Sequence, residues 1–360
     1  MIVIALLMIC KASYRDCQLF LWDILDTPIS IGNIYNIYAR HCKKAKENNK
    51  IQNLSPIMQS SSDELFHRSK PYLSVVDIHS RYCALLVRED KRDSDTWGIN
   101  LLDLAEKGFQ PKVNVSDQGS GMLKGFELYM SDTEHRADHF HIIKDFKELV
   151  RYLKNREKSA VTHQVKLEEK MDKAKQKKSG QALSSRLSKA RKVTAQAEEL
   201  YTRLSTLGSW LQHDILQLSG HNPKDREDLF DFILAELEAL SGLAPRVEKV
   251  VKSLHNQKDN LLAVTHTLNQ EFERLAQHYS IAVQDVWDVC YTTRYDIESV
   301  SYHNKADVLA ERLGPLFEKI EDEVLAIIAV TPRCSSMVEN FHSRLRPYLD
   351  PRKQVSSDGL

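Results

Sequence analysis

The chain has 360 residues, 42% hydrophobic and 28% charged, the composition of a globular protein of two or three domains; wholesale disorder and collagen are excluded. Glycine and proline total 22 residues, about half the usual share, so long helices dominate and a turn-rich all-β architecture is excluded. Fifty basic residues balance fifty acidic ones, yet between Ile142 and Lys192 sixteen Lys and Arg stand against six Asp and Glu, a local charge of +10.

Met1 to Ile9 are apolar but too few to span a bilayer, and they lack the basic start and cleavage site of a signal peptide. They read as a buried helix, the remnant of a longer N-terminus, and no membrane partner is expected. Six cysteines at 10, 17, 42, 83, 290 and 334 show no paired spacing, which argues against a disulfide framework or a zinc site and for a reducing cytoplasm. Residues 13 to 25 carry Tyr14, Cys17, Phe20, Leu21, Ile24 and Leu25 at the spacing of one helical face. Asp26-Thr27-Pro28 breaks that helix, and Ser30 caps a second, short one leading into Arg40, His41, Lys43, Lys44 and Lys46. The pair forms a candidate helix-turn-helix, with Ser30, Asn33 and Asn36 as DNA contacts in a major groove; the alternative is a small helical bundle with a solvated basic end.

A polar run from Ser60 to Asp63 precedes a change of period. Leu73 to Ile78 and Tyr82 to Val87 read as two strands of a hairpin, and a helix covers Asp95 to Lys107. A third strand spans Lys112 to Ser116, Gly119, Gly121 and Gly125 mark the entry to another helix, and a short strand at His135 to Phe140 runs into a basic helix from Ile142. From there to Val330 nearly everything reads as helix, broken at Ser179-Gly180, Ser219 to Pro223 and Ser241 to Pro245, with no fixed repeat.

Asp77 lies near the end of the first strand and Asp117 just beyond the third, so if those strands are neighbours two carboxylates converge at one sheet edge. Oxygen ligands of that kind hold magnesium, and paired ions can activate a water or 3′-hydroxyl against a phosphodiester. The plainer alternative is that both aspartates cap turns. A zinc site from His135, Asp138, His139 and His141 lacks a separate ligand pair. Lys144, Lys147, Arg151, Lys154 and Lys158 recur at helical spacing, which suits tracking of DNA phosphates; Lys166 to Lys178 is interleaved with acids and reads as a solvated face.

Val115-Ser116-Asp117-Gln118-Gly119 with Gly121, then Asp138-His139-Phe140-His141, and finally Ser336-Met337-Val338-Glu339-Asn340 with Ser343-Arg344-Leu345-Arg346-Pro347 resemble, in order, signature blocks of bacterial insertion-sequence transposases of the DDE class. The resemblance touches the chain from about residue 13 to 353. It implies a mixed α/β ribonuclease H-like core with a large all-α insertion, preceded by the helix-turn-helix. The implied division is 1–50 for DNA binding, 70–160 for the first part of the core, 161–330 for the insertion and 331–360 for the final catalytic helix with a truncated tail.

By position, the resemblance implies Asp77, Asp117 and Glu339 as catalytic metal ligands, with magnesium as the ion and manganese as its substitute. It implies Asp138 and His141 as supporting residues, Trp210 as a stacking platform for a displaced base, though core packing is the commoner use of such a residue, and Asn340, Arg344 and Arg346 as DNA contacts. The expected activity is phosphodiester hydrolysis and strand transfer on double-stranded DNA at the bacterial nucleoid, by a homodimer or higher oligomer. The alternatives are a catalytically decayed, transposase-derived DNA-binding protein and a purely structural helical protein. Three departures stand out: two clear strands before the first helix where three are usual, few residues ahead of the helix-turn-helix, and a tail after Lys353 unlike the family.

Overall fold

The computed structural model describes residues 1–117, 119–176, 181–332 and 335–350. Gln118, the Lys177 and Lys178 end of the second basic cluster, the Ser179-Gly180 break, Cys334 and the tail after Asp350 lie outside them. The chain divides into two compact units: the residues up to Asp138 together with those from Pro332 onward, and His139–Thr331.

The first unit opens with three helices, α1 (Ile2–Met8), α2 (Tyr14–Leu25) and α3 (Ile31–Lys50). A reciprocal capping box starts α2: the Ser13 hydroxyl accepts from the Asp16 N–H while Asp16 accepts from the Ser13 N–H. Asp26 ends it in the left-handed region, and the Ser30 hydroxyl accepts from the Asn33 N–H to start α3. Two features differ from expectation. The second helix is not short: nothing between Ile31 and Lys50 breaks it, so the basic run lies within α3 itself. The apolar stripe of α2 is only partly covered, because Val3, Leu7 and Ile34 reach Cys17 and Leu21 while Phe20, Ile24 and Leu25 stay exposed.

Five strands follow: β1 (Gln59–His67), β2 (Lys70–Asp77), β3 (Cys83–Arg88), β4 (Val113–Ser116) and β5 (Glu134–Ala137), in the order β3-β2-β1-β4-β5. The first two are joined by Arg68 and Ser69 alone, both at positive φ, as a tight hairpin that follows the strand twist requires. β1 to β3 are antiparallel, whereas β4 runs parallel to β1 and β5 parallel to β4. The parallel strands need crossovers, supplied by α4 (Ser94–Ala105) and α5 (Ser120–Tyr129).

One face of the sheet, through Leu73 and Val75, packs on Trp97, Leu101, Leu104, Met122 and Phe126 of these two helices. The helices approach closely at Gly125, where a Cβ would meet that of Trp97 at 2.7 Å. The other face packs Leu65 and Tyr72 against Leu345 and Leu349 of the last helix, which is α13 (Ser336–Leu349) once the second unit is counted.

The second unit is wholly helical among its described residues: α6 (His139–Gln176), α7 (Gln181–Trp210), α8 (Pro223–Ser241), α9 (Pro245–Tyr279), α10 (Val283–Thr292), α11 (Val300–Leu313) and α12 (Leu316–Val330). Leu268, Phe272, Val286, Trp287, Ile320 and Val324 belong to one of its apolar cores. A π-helical turn at Leu211–Ile215 follows α7. The Arg226 guanidinium, fully buried, gathers the loop after that turn by donating to the carbonyls of Ile215, Gln217 and Leu218, while its Nε donates to that of His221. No helix among the described residues is long and apolar enough to cross a membrane.

Candidate active site

The strand register decides which acids can meet. Ser62 of β1 pairs with Ser116 of β4, and Ser116 pairs with Ala137 of β5, all three strands running the same way. One residue further along each strand stands an aspartate: Asp63 within β1, Asp117 just past the end of β4 and Asp138 just past the end of β5 form a row across the three parallel strands.

Asp77 is not in this row. It pairs with Ser60, which pairs with Asn114, three residues before Asp117 and two strands away. That offset amounts to roughly 14 Å of backbone separation, far outside the reach of two carboxylates sharing one ion. Instead the Asp77 carboxylate, 7% exposed, accepts from the N–H and hydroxyl of Ser80 and caps the β2–β3 turn. The pairing of Asp77 with Asp117 expected from sequence is therefore corrected: Asp63 is the acid beside Asp117. The missing third strand is β1, and its polar Ser60-Ser61-Ser62-Asp63 start is why it resembled a loop.

Asp63 is 9% exposed. Its Oδ1 accepts from the Glu64 N–H at 2.7 Å, and its Oδ2 lies 3.3 Å from Nδ1 of His342 on α13. Asp117 is exposed, and its Oδ1 accepts from the Gly119 N–H at 3.2 Å. Glu64 points to the opposite face of β1, where it accepts from the Trp97 indole at 3.0 Å and pairs with Arg92 at 2.6 Å. Its Oε1 and the Asp117 Oδ1 lie 3.7 and 3.6 Å from a common point, the place a Cβ on Gly119 would occupy. The Arg92 guanidinium is held above its ordinary range first by that Glu64 hydrogen bond, with Asp117 adding a smaller push. Arg92, Glu64, Ser94, Gly119, Ser120, Gly121 and Lys124 line a cavity of about 470 Å³ at this edge.

Helix α13 spans the row. The hydroxyl of Ser335, its N-cap, donates to Asp138, and His342 reaches Asp63. Ser335, Glu339 and His342 are spaced i, i+4, i+7 and so share one helical face. Glu339, in the first turn, thus lies along the helix between the contacts to the two outer aspartates.

Asp63, Asp117 and Glu339 supply hard oxygen donors of the kind magnesium takes. As placed, no group of three or more His, Cys, Asp or Glu side chains is close enough to hold one ion among the described residues. Asp63 Oδ2 faces the imidazole and Asp117 Oδ1 its own loop, so an ion would have to draw both carboxylates inward.

Asp138 closes the first unit and His141 lies in the first turn of α6 in the second. Three of the four residues of the zinc alternative are engaged separately. His135 Nε2 meets the Ser116 hydroxyl at 2.7 Å, Asp138 meets Ser335, and His139 faces the carbonyls of Leu216 and Leu261 at 3.1 and 2.9 Å. Burial drives the His135 imidazole down to about 4.

Of the residues expected to touch DNA, Ser30, Asn33, Asn36, Lys144, Arg151, Lys154, Asn340, Arg344 and Arg346 are exposed, although the Ser30 hydroxyl is occupied as a cap. Trp210 is 38% exposed and its ring stands 6.1 Å from that of Phe232, neither core nor an open stacking face. The residues missed in the sequence are Asp63, Glu64 and His342. The last had a visible signal, a histidine one helical turn after Glu339. Searched against family models and against curated proteins, the chain matches none.

Proposed function

We propose that this protein is a metal-dependent DNA transposase of the DDE class, built on a ribonuclease H-like core with a helical insertion. One observation carries the reading: on a mixed sheet ordered β3-β2-β1-β4-β5, Asp63 within β1 and Asp117 just past the end of β4 stand side by side on neighbouring parallel strands, and the helix bearing Glu339 reaches Asp63 through His342. The sequence blocks around Asp117, Asp138 and Glu339 support it independently, since they are legible in the amino-acid order without the sheet.

In this reading Asp63, Asp117 and Glu339 hold the ions, and Asp77 has no part in the chemistry. Magnesium, or manganese in its place, would supply Lewis-acid activation of the attacking hydroxyl and of the leaving oxygen. The chain's own contributions are positional. The Glu64 N–H fixes one oxygen of Asp63, Ser335 ties the start of α13 to Asp138, and the Gly119 N–H orients Asp117. The exposed cations Lys144, Lys147, Arg151, Lys154 and Lys158 on α6 track phosphates of double-stranded DNA, giving affinity that does not depend on sequence. Synapsis of two element ends calls for a dimer or higher oligomer at the nucleoid.

Nicking of supercoiled plasmid in magnesium or manganese tests this reading. Asp63→Asn, Asp117→Asn and Glu339→Gln are expected to reduce nicking to background with DNA binding retained, while Asp77→Asn, if folded, nicks at a rate close to wild type. Loss of nicking in Asp77→Asn with full activity in Asp63→Asn would reverse the assignment. DNA binding with no nicking by the wild type would favour a transposase-derived binding protein.

A further inference from the structure

His342 is 3% exposed on the sheet-facing side of α13, in a neighbourhood where Leu65, Tyr72, Leu345 and Leu349 form an apolar cluster. A leucine or methionine would fill such a place with no polar group to satisfy. The imidazole is instead matched atom by atom. Nδ1 faces Oδ2 of Asp63 at 3.3 Å, and a carboxylate oxygen only accepts, so Nδ1 carries the hydrogen. Nε2 meets the Ser74 hydroxyl at 2.7 Å, and that hydroxyl is also 2.9 Å from the main-chain oxygen of Asp63. Asp63 and Ser74 are directly paired across β1 and β2, so ring, hydroxyl and carboxylate lie together on one sheet face, the one hydroxyl hydrogen of Ser74 serving the ring or the main-chain oxygen. With Oδ1 held by the Glu64 N–H, both oxygens of Asp63 are fixed.

We propose that His342 is a positioning residue for the metal ligands: it sets the plane of the Asp63 carboxylate and ties it to the helix that carries Glu339. This rests on the metal-site reading above. Groups that orient metal ligands typically govern affinity by about 10- to 100-fold, and here one helix carries both an acid and the group that aims another acid, so the two are aligned by a single docking event.

The experiment is manganese binding to the full chain without DNA, followed by titration calorimetry. The side-chain nitrogen of Asn can take the place of Nδ1, whereas that of Gln reaches the place of Nε2. His342→Asn therefore keeps the donor to Asp63 and is expected to bind manganese within about 2-fold of wild type. His342→Gln and His342→Ala are expected to bind at least roughly 10-fold more weakly. Ser74→Ala, a smaller change, keeps the ring but removes its second partner, and intermediate weakening is expected. Thermal melting of each variant separates aim from packing, because a merely structural histidine would give Asn and Gln variants whose metal affinities do not differ. Equal affinity of Asn and Gln variants, or wild-type affinity in His342→Ala and Ser74→Ala, overturns the role of His342 provided that Asp117→Asn abolishes binding. Absence of binding in the wild type, or binding indifferent to Asp117→Asn, overturns the metal site and the positioning role with it.

Discussion

Beside the row of aspartates, the His135 ring is buried against Ser116, and the cost of charging it there keeps it neutral in the folded chain down to about pH 4. The unfolded chain takes up that proton near pH 6.5, so stability is fully present above this value and is lost as the pH falls toward 4. The loss attributable to this one ring reaches about 3 kcal/mol. Denaturant unfolding of wild type and His135→Phe at pH 7 and pH 4.5 should show a steeper acid loss in the wild type; parallel losses would mean the ring is not the origin. Asp77 makes the complementary point, since a strand-end aspartate can be spent entirely on a turn, as its bonds to Ser80 show. Residue type near a strand end does not identify a ligand; register does.

Among the elements, the π-helical turn and the loop after it depend on a single side chain. Replacing Arg226 by Met would leave four main-chain oxygens without their donor in a largely buried setting, a cost of about 3 kcal/mol or more. A lowered melting temperature, with no change in manganese binding, is the expected result, and an unshifted melt would show that the loop finds other partners. Elements of this kind differ in how plainly they were written in the sequence. β2, β3, α4, β4 and α5 followed from apolar period and glycine placement. β1 did not, because Ser60, Ser61, Ser62 and Asp63 are buried polar residues whose satisfaction comes from elsewhere: the hydroxyls of Ser60 and Ser62 both donate to Asn114 on β4. A pattern based on hydrophobicity has no term for a partner fifty residues away. Losing β1 also put Asp77, on the earliest visible strand, where the proposed site has Asp63. Asp117 and Glu339 were legible through their surrounding motifs, whereas their arrangement, resting on which strands are neighbours, was not.

For the molecule as a whole, neutrality is an average over a strongly basic helical segment and an acidic remainder. The proposed DNA affinity should therefore fall steeply with salt. Changing Lys144, Arg151 and Lys154 together to Ala is expected to flatten the dependence of log K on log salt by roughly 3 units, close to one for each phosphate no longer neutralised. An unchanged slope in a folded triple variant would remove α6 from the DNA surface. The described cysteines are unpaired, and burial pushes Cys83 up to about 12 and Cys290 up to about 11, leaving both slow to react.

Asp63 and Asp117 emerge early from the ribosome, but α13 with Glu339 and His342 follows only after the whole helical unit has been made. At ordinary translation speeds that is an interval of about 10 to 40 seconds. During it the nascent chain carries two of the three proposed acids, with neither the third nor the residue that aims the first. Under the proposed function, a nuclease assembled in this order cannot cut while it is being made, and any premature stop or frameshift within the helical unit yields a product without a complete proposed centre. For the proposed nuclease, chain order itself would thus be a safeguard for the DNA from which the message was copied.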